Sequence, residues 1–89
     1  MAKYTITSNF GMCPNQIEGH TDDGRHFYFR ARHDWASLYI HESLDACYAG
    51  DEVGPNKSMV WSKEIEGAGY FELDQFENLF WQVIAEIEA

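Results

Sequence analysis

Four histidines, two cysteines and fifteen carboxylates are the side chains in this sequence able to ligate a metal, attack a carbonyl or move a proton. The histidines are His20, His26, His33 and His41, spaced 6, 7 and 8 positions apart, while Cys13 and Cys47 stand alone. Structural zinc sites present ligands in close pairs, C-x₂-C or H-x₃-H, because one turn or helix face must offer two donors together. No such pair occurs here. His20 and His26 flank an Asp-Gly turn with Cys13 nearby, which is the one arrangement that could hold a metal. Histidines lying on strand surfaces are the simpler account of the same residues.

Nucleophilic catalysis needs a cysteine or serine held beside a base, and no motif here brings either cysteine to a histidine. His33 and Asp34 are adjacent, as turn residues often are. Gly54-Pro55-Asn56-Lys57 lacks the glycine spacing and the following Ser/Thr of a phosphate-binding loop. No nucleophile elbow, zinc helix or dinucleotide fingerprint is present. The expectation is a protein that is not an enzyme and carries no cofactor and no metal.

Charge is more informative. The formal net charge is −9, yet half of the six basic residues, Arg25, Arg30 and Arg32, fall within eight positions. In a strand, Phe27, Phe29 and Ala31 would face one side and Tyr28, Arg30 and Arg32 the other. A phenol beside two guanidiniums resembles the surface on which single-strand binders stack bases and clamp phosphates. Nucleic-acid-binding domains are basic overall, however, and this one is acidic. Arg30 and Arg32 are therefore expected to form structural ion pairs with carboxylates of the same chain.

Residues 1–40 balance four basic against four acidic side chains, whereas residues 41–89 set two lysines against eleven carboxylates. The second half thus carries the whole net charge. Asp51, Glu52, Glu64, Glu66, Glu72, Asp74 and Glu77 fall on a loop, a weak strand and a helix start. Any one of them is adequately explained as a solubilising surface group. Together they cost self-repulsion that solubility does not require. Duplex DNA carries about one charge per 1.7 Å of axis, so a line of carboxylates can imitate it before a basic groove.

These side chains need elements to position them. Eighty-nine residues that are 45% hydrophobic and 16% aromatic suffice for one domain, residues 1–89, with a real core. Residues 3–10 alternate like a half-buried strand, 16–21 and 25–32 follow as strands, and Asp23-Gly24 marks a type I′ hairpin. A turn at His33-Asp34 leads into a strand over 35–42, completing a four-stranded antiparallel meander. Residues 43–50 read as a short helix capped by Ser43 and closed by Gly50. Residues 59–67 alternate weakly and could add a strand. Leu73, Phe76, Phe80, Val83 and Ile87, with Leu79 and Ile84, form a helical stripe over 74–88, and Asp74 with Glu77 fits a capping box. The fold class is α+β: a small antiparallel sheet of three to five strands with a C-terminal helix packed on one face.

The start of the chain lacks a signal-peptide pattern and no apolar run could span a membrane, so a cytoplasmic protein is expected. The unpaired cysteines agree with a reducing compartment.

The segments holding Pro14, Gln16, Glu18, Gly19 and Gly24, then Phe27 to Arg32, then Trp35, resemble a set of short phage and prophage proteins. Their pattern is P-x-Q-x-E-G, then G-x-x-F-Y-F-R-A-R, then W, and the match covers residues 11–35. Small acidic phage proteins of this kind are similar to anti-CRISPR inhibitors, several of which are DNA mimics. The resemblance implies a binding protein that blocks a basic host surface, such as the DNA channel of a CRISPR effector, without chemistry of its own. It implies no direct nucleic-acid contact and no membrane partner, for a monomer or homodimer. Two alternatives stay open. One is a metal- or nucleotide-binding module using the histidine strands. The other is a structural phage protein that dimerises through exposed aromatics such as Trp61 and Trp81.

Overall fold

The computed structural model describes residues 3–11, 14–51, 53–54 and 57–88. Five strands, β1 (Tyr4–Phe10), β2 (Asn15–Thr21), β3 (His26–Arg32), β4 (Trp35–His41) and β5 (Met59–Glu64), pair antiparallel in chain order. Helix α1 (Leu44–Ala49) lies between β4 and β5, and a 3₁₀ turn at Ala68–Tyr70 leads into α2 (Leu73–Ile87). The weakly alternating segment after residue 58 is thus the fifth strand. No helix among the described residues is long and apolar enough to cross a membrane.

Alternation in β3 builds the core. Phe27, Phe29 and Ala31 are fully buried beneath α2, while His26, Tyr28, Arg30 and Arg32 face the other way. The helix lays Phe76, Phe80, Val83 and Ile84 onto that inner face. Phe29 stacks on Phe76 with ring centroids 4.7 Å apart, and Phe27 stacks on Phe80 at 5.0 Å. Offset rings at these separations add attraction beyond the area they bury. Gly19 makes room for this packing, since a Cβ there would lie 1.9 Å from the Thr5 carbonyl oxygen and 2.6 Å from the Phe27 ring.

Local signals place α1 as expected, with Ser43 Oγ accepting from Ala46 N–H and Gly50 in the left-handed conformation. Two other signals resolve differently. The hairpin between β2 and β3 is not type I′, because Asp23 keeps a negative φ and only Gly24 is positive, at 89°. Gly24 N–H bonds the Thr21 carbonyl and Thr21 N–H the Arg25 carbonyl, which makes a three-residue loop with glycine in the left-handed position. Helix α2 starts at Leu73 with Glu72 as its cap, not Asp74. Gln75 Oε1 accepts from the Glu72 N–H at 3.1 Å, so the capping box sits two residues earlier than Asp74 and Glu77 would put it. The entrance is set from outside the helix. Buried Asn15 donates to the carbonyls of Ala68 (2.9 Å) and Phe71 (3.0 Å), docking the 3₁₀ turn against β2.

Candidate functional site

The side of the sheet away from α2 carries the charged residues of β2, β3 and β4, and its rows follow from the register. One row runs Gln16, Arg30, Ser37, Ser62; the next runs Arg32, Trp35, Glu64. A third aligns His20, His26 and His41.

Arg30 and Arg32 do not form the ion pairs expected of them. The one salt bridge among the described residues joins Arg25 Nε to Asp23 Oδ1 at 3.0 Å, within the hairpin loop, and it holds the Asp23 carboxyl below its ordinary range. Register explains the failure. The cross-strand neighbours of Arg30 are Gln16 and Ser37, and that of Arg32 is Trp35, so neutral residues stand where carboxylates were needed. Glu18 lies across from Tyr28, and its carboxylate accepts from the Tyr48 hydroxyl, which pushes that phenol up to about 12. Glu64 sits one strand too far. The Arg30 Nε is buried without a hydrogen-bond partner among the described residues. The two arginines, Trp35, Ser37 and Tyr39 line a cleft of about 120 Å³. Below it Tyr28 stacks on Tyr39 at 5.8 Å, which stiffens the floor.

The acidic residues divide by what their oxygens already do. Glu72 caps α2, Asp74 Oδ1 accepts from Gln75 N–H, and Glu77 accepts from the Trp81 indole. Glu52 lies outside the described residues. Asp51, Glu64 and Glu66 are exposed, and their carboxylates make no hydrogen bond or ion pair among the described residues. The Asp51 backbone accepts from Ser58 and Met59 at the start of β5. Glu64 ends that strand, about 17 Å away at strand rise. Glu64 and Glu66 instead gather with Asp34 around an open depression of about 390 Å³. The sequence marked Asp34 as a turn residue, not as a member of the acidic group. Its neighbour His33 holds a positive φ of 56°, and the turn is tied down by Gly69 N–H to the His33 carbonyl, Gly67 N–H to Asp34 Oδ1 and Ile65 N–H to the Asp34 carbonyl, each at 2.8 Å. Those bonds carry Glu66 to the β3–β4 turn. A parity count alone could not have found this, because the contact spans more than thirty residues.

Trp61 is half-buried, pairs with Leu38 and packs against the core 6.2 Å from Phe29. It serves the inside of the sheet. Trp81 leans on Phe80 at 5.0 Å. The tryptophan presented on the polar face is Trp35, 53% exposed, with its indole N–H on Ser62 Oγ. Its outward aim was deducible from parity, since it pairs directly with outward Arg32 across a two-residue turn.

His20, His26 and His41 share a row, but no group of three metal-ligating side chains in holding geometry exists among the described residues. His41 Nδ1 accepts from Ser43 N–H at 2.9 Å, and His33 is turned toward the Tyr70 hydroxyl. Cys13, the third member of the metal candidate, lies outside the described residues. Cys47 is buried, its thiol against the carbonyls of His26 and His41 rather than their rings. Burial pushes that thiol up, which disfavours the thiolate a nucleophile requires.

Comparison with family models, with curated proteins and with solved structures finds no match for this chain.

Proposed function

We propose that the protein is a small acidic inhibitor of phage type that works by binding alone, covering a basic host surface that otherwise holds nucleic acid. A CRISPR effector is the kind of target this reading names. One observation carries it: Glu64 and Glu66, with Asp34, surround a single open depression, and neither glutamate's carboxylate has a partner among the described residues. Carboxylates used for structure are tied by hydrogen bonds, as those of Asp34 and Asp74 are. Those left untied in a group are available to an incoming cation. The net charge of −9 supports the same direction, since it speeds encounter with a basic surface. The resemblance of residues 11–35 to phage and prophage proteins supplies the setting.

Capture from a host lysate at low and at high salt tests the proposal. Exposed charges are screened beyond about 10 Å at 0.1 M salt, so the partner should bind at low ionic strength and leave as salt rises. Added duplex DNA should release it too. A complex that ignores both salt and DNA but is lost in Trp35→Ala would replace the acidic decoy with an aromatic-anchored interface.

A further inference from the structure

The arginine cleft on the polar face has no role in the acidic-decoy reading, and its chemistry is opposite in sign. A buried N–H with no acceptor is costly, and such groups in folded proteins ask for a ligand, an ion or a water. Arg30 Nε is one, and no carboxylate among the described residues reaches it. Arg32 is exposed beside it and likewise unpaired among the described residues.

We infer that this cleft binds one oxyanion, a phosphate or a carboxylate, borne by a small ligand with a flat ring. The two guanidiniums supply charged donors suited to an oxyanion. The Ser37 hydroxyl, which shares a 3.0 Å hydrogen bond with Ser62, adds a neutral partner. At about 120 Å³ the cleft takes the anionic group and little more, leaving the ring outside. Trp35, half exposed at the mouth, is the surface on which it stacks. A nucleic-acid strand fits less well. Its next phosphate toward β5 would meet Glu64, across β4 from Arg32, and then Glu66 and Asp34. A single oxyanion avoids that repulsion, so the small molecule is favoured over the polymer.

The test is a titration followed by the ¹⁵N signals of the Arg30 Nε–H and the Trp35 indole N–H. Adenosine monophosphate and benzoate distinguish the phosphate from the carboxylate source. Inorganic phosphate reports the anion without a ring, and adenosine the ring without an anion. Saturable shifts at both signals are expected with one or both ringed anions at millimolar concentration or below. Inorganic phosphate should bind about tenfold more weakly, for want of stacking, and adenosine should not bind. Arg30→Gln should weaken the response about tenfold or more. Arg32→Gln should also weaken it, and because Arg32 is exposed this second variant keeps the test valid if the first is unstable. Glu64→Gln with Glu66→Gln should leave it intact, which separates this site from the acidic rim. Silence toward every oxyanion, or shifts unchanged in Arg32→Gln, would overturn the inference. So would a single-stranded oligonucleotide that binds more tightly than the mononucleotide.

Discussion

The two faces of the sheet are made from the same strands and handle their side chains in opposite ways. Along β3, Phe27 and Phe29 each meet an aromatic partner from α2, whereas Arg30 and Arg32 on the opposite face meet no carboxylate among the described residues. Inside, the large aromatic groups are packed by the chain itself, and Asn15, a polar residue, uses its amide to hold the 3₁₀ turn. Outside, charged groups of both signs are left with spare bonding capacity, the arginines on β3 and the glutamates at and just past the end of β5. Stability is concentrated on one face, and unspent capacity to bind on the other.

The strongest break of that contrast is on the inner face. Phe80→Ala removes a fully buried ring in contact with Tyr4, Phe27 and Phe29, and should cost about 3–5 kcal/mol in denaturant unfolding. A cost below about 1 kcal/mol would mean that the helix is not seated on the sheet as described. Gly19→Ala adds a methyl where the Thr5 carbonyl and the Phe27 ring already stand, and should destabilise by about 1–3 kcal/mol or more.

Two tyrosines compare the faces through pH. The Tyr4 phenol is pushed up to about 12, mainly by burial and then by its hydrogen bond to Glu88 at 2.7 Å. A phenol raised in the folded state contributes stability that is complete below its ordinary value of 10.0 and is lost as pH climbs toward about 12. Tyr48 is raised as well, but first by its bond to Glu18 on the exposed side, where solvent screens the interaction and shrinks its share of stability. Unfolding followed between these limits should therefore show a falling alkaline limb that Tyr4→Phe flattens more than Tyr48→Phe does. Equal effects would erase the distinction.

The smallest effect is expected at the cleft. Arg30→Met removes the buried donor that lacks a partner while keeping most of the side-chain volume. The change in unfolding free energy should lie within about 0.5 kcal/mol of zero or be stabilising. A large loss would show that Arg30 holds the fold together after all.

What the sequence made legible follows the range of the interactions. Ser43 and Gly50 bound a helix through their own backbone chemistry, so α1 could be read to the residue. Alternation in residues 26–32 separated the two faces because parity is a local property. The ion pairs of Arg30 and Arg32 were misjudged because a neighbour across a strand is set by register, and register put Gln16, Ser37 and Trp35 there. Trp61 failed for the same reason, since only pairing with Leu38 decides that it faces inward. The cap of α2 was misplaced by two residues because its entrance is docked by Asn15, fifty-three positions from Ala68. Asp34 joined the acidic group through backbone bonds to residues 65–69 that no spacing rule anticipates.

The binding role of the polar side is tested most directly by Glu64→Lys with Glu66→Lys, the two carboxylates that gather with Asp34 but hold nothing in the fold. Melting and partner binding are measured on the same sample, against the captured partner once purified. The melting temperature should move by no more than about 4 °C, while binding at low salt and competition with duplex DNA both disappear. A reversed protein that still binds and still displaces DNA would contradict the account.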